Sequence, residues 1–205
     1  MTPEYWQEAK TYLSRRDKVM KKIVSQYEGE MLSIRGDAFY TLARSIVGQQ
    51  ISVKAADAVW RRFENTAKKI TPKTIAALDV EIMRGCGFSA SKANYMHALA
   101  EHFITNQRII RRWPEMDDED IITELSSIKG IGRWSAEMFL IFGLGRPDVF
   151  PVADIGLQKA VARHYHGDIR IKPKELLIFG ERFRPYRTVA TWYFWRALDP
   201  VPVAY

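Results

Sequence analysis

The chain has 205 residues, enough for one sizeable core or for two lobes sharing a cleft, and few for two independent domains. Its 47% hydrophobic and 27% charged residues exclude a disordered or fibrous protein, and no apolar run approaches the roughly 20 residues that a membrane-spanning helix needs. The single cysteine, Cys86, excludes an internal disulfide and a four-cysteine iron–sulfur cluster.

The first residues, MTPEYWQEAKTYLSRRDK, are mixed and charged, without an apolar secretory core, so the expected location is the cytoplasm, beside the nucleoid, or the nucleus of a eukaryote. The formal charge of +7 is spread over basic pairs at Arg15–Arg16, Lys21–Lys22, Arg61–Arg62, Lys68–Lys69 and Arg111–Arg112. Such pairs are solvated helix faces or a phosphate-facing surface, and charge alone does not choose between them.

In chain order, apolar residues at helical spacing predict helices over 4–13, 16–27, 37–48, 51–65, 72–78, 89–105, 118–126, 132–143, 155–164, 173–182 and 186–198. The third is clear: Asp37 is a plausible N-cap, and Phe39, Leu42, Ala43, Ile46 and Val47 form one stripe. Strand-like alternation is nearly absent, and short connections carry turn residues such as Gly36, Pro72, Gly87, Pro114, Gly145 and Pro173. The expected fold class is therefore all-α, with no internal repeat or long linker.

The stretch LSSIKGIGRWSAEMF, residues 125–139, reads as a helix end, a turn over Lys129–Gly132 and a new helix from Arg133. Glycine permits positive φ and removes the Cβ that would keep a neighbouring backbone or phosphate away. Unpaired N–H groups at the positive end of the new helix form an anion site, although glycines in such a connection also serve the turn alone. A similar pattern opens CGFSASKANY, residues 86–95: Gly87, a capping Ser89 or Ser91, and Lys92 in the first turns of a helix. Lys92 there suits a phosphate or is merely solvated.

Leu125, Ile128, Gly130, Ile131, Gly132 and Ala136 match the helix-hairpin-helix DNA-binding pattern. Together with RPDVFPVADIGLQKAV, residues 146–161, they resemble the helix-hairpin-helix DNA glycosylase superfamily. Within it the 3-methyladenine DNA glycosylase II branch is similar at GIGRWSA, DVFPVAD, RPYRTVATWYFW and SIVGQQISVKAA. The similarity spans about residues 35–198, without the N-terminal β-domain of some members, and implies a minimal single glycosylase domain over 1–205. It implies two helical lobes, one of roughly 36–145 and one of 1–35 with 146–205, and a DNA-binding cleft between them.

What the resemblance implies for single residues is specific. Asp154 matches the catalytic aspartate, while on its own it reads as the N-cap of the helix beginning at Ile155. Gln50, with Gln49 beside it, matches the wedge that enters the base stack when a nucleotide is flipped out, or else caps backbone groups. Lys129, Gly130, Gly132 and Arg133, with Gly87 and Lys92, are the expected phosphate contacts, and the backbone of Ile128 and Gly130 the expected seat of a Na⁺ or K⁺ ion. Trp134, Met138 and Trp195 are expected to line the base pocket, whereas Trp192 reads as core. Met138 departs from the branch, where an aromatic is common, and so does Tyr186, where tryptophan is usual.

Members that also nick DNA carry a lysine where this chain has Trp134, so the resemblance implies water as the nucleophile and no lyase step. Too few cysteines for an iron–sulfur cluster point away from the endonuclease III and adenine-mismatch branches. The expected substrate is double-stranded DNA with alkylated purines of the 3-methyladenine and 7-methylguanine type, whose positive charge an indole attracts. No membrane, no other cofactor and a monomer are expected. The alternatives are another damaged base (uracil, hypoxanthine or ethenoadenine) and a non-catalytic DNA-binding module.

Overall fold

The computed structural model describes residues 1–198, and among them every regular element is a helix. In chain order these are α1 Trp6–Arg16, α2 Lys18–Gln26, α3 Ala38–Gly48, α4 Val53–Ala67, α5 Pro72–Ala76, α6 Val80–Gly85, α7 Ala90–Thr105, α8 Gln107–Ile110, α9 Asp118–Ser126, α10 Arg133–Phe142, α11 Ile155–Tyr165, α12 Pro173–Gly180 and α13 Arg187–Leu198. Short 3₁₀ turns lie at Trp113–Glu115 and Glu181–Phe183. The all-α expectation holds. Sequence pattern missed α6 and α8, of six and four residues, while the five-residue α5 was found because Pro72 marks its start.

The helix starts are set by side chains that accept a hydrogen bond from the first turn. Asp17, Asp37, Ser52, Thr71, Asp79, Ser89 and Asp154 all cap in this way, each worth about 1 kcal/mol. Asp37 accepts from the Tyr40 N–H at 2.9 Å, and the choice between Ser89 and Ser91 falls to Ser89, which accepts from the Lys92 N–H at 3.2 Å.

Backbone proximity divides the chain into two compact units, and the division falls between Phe139 and Leu140, inside α10. One unit is Arg35–Phe139. Its centre is α7, which packs against α3, α5 and α6 and buries Ala93, Met96, Leu99, Ala100 and Phe103. Phe103 meets Phe39 and Trp113 edge-on at 5.2 and 5.5 Å, favoured geometries for aromatic pairs.

The other unit joins Met1–Ile34 to the described residues from Leu140 onward. Its centre is α13, packed by α11, α2 and α1. Every residue from Thr188 to Trp195 is buried, so this helix has no solvent stripe, and burial on all sides rather than amphipathicity holds it. Trp192 is core, as expected: it is 3% exposed and lies edge-on to Trp6 at 5.2 Å.

Candidate active site and nucleic-acid interface

Asp154 stands at the end of the loop 143–154, and that loop is tied to the start of α13 by polar groups. Arg187 grips Asp148 with two donors on one edge of its guanidinium, Nε to Oδ1 at 2.8 Å and Nη2 to Oδ2 at 2.9 Å, while the Arg187 backbone N–H donates to Oδ1. Arg184 adds a bond to Oδ2 at 2.7 Å. One residue on, the Thr188 hydroxyl donates to the Arg146 carbonyl at 2.6 Å and accepts from the Val149 N–H at 3.0 Å. The similar strings DVFP and RPYRT are thus two halves of one clamp.

Past the clamp, a turn closed by the Asp154 N–H on the Pro151 carbonyl at 2.8 Å delivers Asp154 to the N-cap of α11. Its Oδ1 accepts from the Leu157 N–H at 2.6 Å and from the Trp195 indole N–H at 2.8 Å. The local N-cap reading of Asp154 is therefore correct, and it fixes the carboxylate in place. Trp195 lies parallel to Phe142, with ring centroids 6.0 Å apart and planes 11° apart, and is 6% exposed. Its expected place as a pocket wall meets a ring already stacked on one neighbour and hydrogen-bonded to another. Ile155, directly after Asp154, is 66% exposed.

In the other unit, the hairpin between α9 and α10 carries its two glycines for different reasons. Gly130 has φ +91°, and a Cβ there would lie 2.0 Å from Cγ of Tyr95 on α7. The close approach it permits is thus to an aromatic ring. Gly132 lies outside the left-handed region, with open space at its Cβ position. It is the exposed face, followed by the first turn of α10.

Gln49, expected beside the wedge, turns inward. Its amide donates to the Gly130 carbonyl at 2.8 Å and to the Ser135 hydroxyl at 3.1 Å, so it braces the hairpin. That bond also bears on the expected cation. The Gly130 carbonyl accepts this amide and the Ile128 carbonyl accepts the Ile131 N–H at 3.0 Å, one bond on each oxygen, which leaves each a second lone pair for the expected ion. Lys92 is a further correction: its ammonium donates to the Val47 and Gln49 carbonyls, both at 2.7 Å, and satisfies the C-terminus of α3. Burial pushes its pKa below the usual lysine range.

Gln50 is exposed and has φ +58°, which L-residues adopt at a cost. Lys129 is exposed. Arg133 is engaged by two carboxylates, Glu119 through both terminal nitrogens and Glu137 through Nε at 3.1 Å, and these raise its pKa, Glu119 foremost. Gly87 has φ +104°, a conformation that favours glycine, and Arg62 Nη2 would lie 2.8 Å from a Cβ there. On α10, Trp134 is half-buried, whereas Met138 is 1% exposed and offers no surface to a base. Their four-residue spacing does put both on one side of α10, and depth of burial is what separates them.

Sequence reasoning missed Tyr95, Phe142, Gly156 and the Asp148–Arg187 pair. Only the last had a signal, in the strings DVFP and RPYRT.

The family profile described as HhH-GPD superfamily base excision DNA repair protein matches residues 43–184. DNA-3-methyladenine glycosylase 1 of Schizosaccharomyces pombe is 36% identical over 196 residues, which cover 92% of this chain and 86% of that protein. Among solved structures, the S. pombe 3-methyladenine DNA glycosylase in complex with abasic DNA is similar with a TM-score of 0.82 at 33% identity, covering 92% of this chain and 95% of that one. A DNA-3-methyladenine glycosidase of Bacillus halodurans gives 0.76 at 34% identity, covering 93% and 88%. No helix among the described residues is long and apolar enough to cross a membrane.

Proposed function

The chain belongs to the HhH-GPD superfamily of base excision DNA repair proteins, and on that premise we propose that it is a DNA glycosylase. In this reading it hydrolyses the N-glycosidic bond of alkylated purines, of the 3-methyladenine and 7-methylguanine type, in double-stranded DNA. It acts as a monomer, without a lyase step. The names of the relatives support the substrate class. The observation that carries the reading is the Asp154 carboxylate, held at the N-terminus of α11 by two donors on one oxygen.

Departure of the base leaves an oxocarbenium-like sugar, and a fixed negative charge beside it lowers the barrier without reorganising. The same carboxylate orients the water that attacks C1′, and the products are free base and an abasic site. Alkylated purines are cationic and already good leaving groups, so one carboxylate and an indole face suffice as chemistry. Trp134 occupies the sequence position at which, by the resemblance, lyases of the superfamily carry their lysine. Exposed Gln50 enters the stack in place of the flipped nucleotide, at an unstacking cost of a few kcal/mol. Gly132, Lys129 and the first turn of α10 hold a backbone phosphate.

The test is release of 3-methyladenine and 7-methylguanine from methylated duplex DNA by wild type and Asp154→Asn. The variant is expected to lose roughly a hundredfold or more in single-turnover rate. An unchanged rate would remove Asp154 from the chemistry, and a borohydride-trapped covalent adduct would overturn the water mechanism.

A further inference from the structure

We propose that Trp195 is a positioning residue that works through the Asp154 carboxylate rather than by stacking on the excised base, and that Gly156 is the glycine that makes room for it. The proposal rests on the reading of Asp154 as the reacting carboxylate.

Three observations converge on it. The indole is 6% exposed, with one face against Phe142 at 11° between planes, so little of the ring is left for a ligand. Its one polar atom, an N–H that only donates, finds Asp154 Oδ1 at 2.8 Å, the partner that a buried indole requires. The third observation is the glycine. Gly156 lies in the first turn of α11 with no positive φ, so the backbone does not demand it, and glycine costs a helix about 1 kcal/mol relative to alanine. A Cβ there would stand 3.0 Å from Asp154 Oδ1, 3.2 Å from Trp195 Cδ1 and 3.4 Å from its Nε1. Neither neighbour has room to yield, since Oδ1 is also bound by the Leu157 N–H and the ring is stacked on Phe142.

The choice of an indole has a chemical reason. A lysine or arginine on Oδ1 would orient the carboxylate equally well but would cancel much of the negative charge that the sugar cation needs. A neutral donor fixes the carboxylate plane and leaves its charge intact. Two donors on one oxygen, one from the backbone of α11 and one from α13, also remove rotation about the Cβ–Cγ bond.

Trp195→Phe keeps an aromatic ring in the stack and deletes the donor together with part of the indole's volume, and Gly156→Ala disturbs the pair while leaving Trp195 in place. Both are compared with wild type in single-turnover excision of 7-methylguanine. Binding is measured to a duplex with one 7-methylguanine on a 2′-fluoro sugar, which resists cleavage because fluorine disfavours the sugar cation. Each variant is expected to lose roughly ten- to a hundredfold in rate, the scale of a charge-assisted hydrogen bond, with binding within about twofold of wild type. Thermal unfolding monitors folding, and the two variants are independent routes should one be unstable. Binding that weakens as much as the rate would make Trp195 a base-stacking residue and overturn the proposal, as would a wild-type rate for both. If Asp154→Asn is slow while both variants are wild-type, this inference alone fails. If Asp154→Asn is itself wild-type, the underlying reading fails.

Discussion

The Asp154 loop and the hairpin are held in place by different physics. Around Asp154 the fastening is polar: Asp148 accepts from Arg184 and Arg187, Thr188 donates to Arg146 and accepts from Val149, and Trp195 closes on the carboxylate. Around the hairpin it is steric, a glycine seated on the Tyr95 ring, with one amide, Gln49, as brace. The difference fits what each region presents. A carboxylate whose charge must sit at one point needs its torsions fixed by directional bonds, whereas a row of backbone N–H groups needs only a turn of fixed shape.

The contrast predicts different failures. Asp148→Ala leaves Arg187, 11% exposed at its side chain, with only the Glu181 carboxylate at 3.3 Å, and should cost about 2 kcal/mol in denaturant unfolding. It should also slow excision while DNA affinity stays near wild type. Gly130→Ala drives a Cβ into Tyr95 and strains a residue at φ +91°, for about 2–3 kcal/mol. Here the loss should fall on DNA affinity, and Tyr95→Ala in the same chain should return part of it. Equal effects of both substitutions on rate and affinity would dissolve the distinction between the two regions.

A smaller pair of substitutions sits on adjacent residues and should act with opposite sign on stability. Gln49→Ala removes the bonds to Gly130 and Ser135 and is expected to cost about 1–2 kcal/mol. Gln50→Gly relieves the left-handed backbone at φ +58° and should be neutral or stabilising by up to about 1 kcal/mol, yet excision should slow because the wedge is gone. Paired unfolding and rate measurements separate brace from wedge.

Much of this was legible in the sequence, and the illegible part has a common cause. Helices with strong stripes, such as α3, showed themselves, and so did caps at Asp37 and Asp154, because both signals are local. Gly130 and Asp154 were found for their types and spacing. Their partners were not. Tyr95, Gly156 and Phe142 acquire their roles from residues far along the chain, and a half-buried tyrosine in a helix has no local mark that says a hairpin glycine will rest on it. Lys92 misled for the same reason: a lysine after a capping serine reads as a phosphate contact until the carbonyls at the end of α3 are seen in front of it.

Arg133 gives the finest test of the comparison. Sequence reasoning put it on a phosphate, but two carboxylates already share its guanidinium, at a site where it is 54% exposed. If the pair persists in the complex, Arg133→Gln should leave the salt dependence of DNA binding unchanged, whereas Lys129→Ala should lower the slope of log K against log salt by about 0.9. The pair with Glu119, whose side chain is exposed, is a surface pair worth about 0.5 kcal/mol. Arg133 holds the Glu119 carboxyl below its ordinary value of 4.5, so its contribution to stability is present above that pH and fades as pH falls through the lowered folded-state value. The stability difference between wild type and Arg133→Gln should therefore be constant near neutrality and shrink only below that value. A salt slope that drops for Arg133→Gln would mean that DNA breaks the ion pair, and that the hairpin, like the Asp154 loop, relies on a side-chain charge.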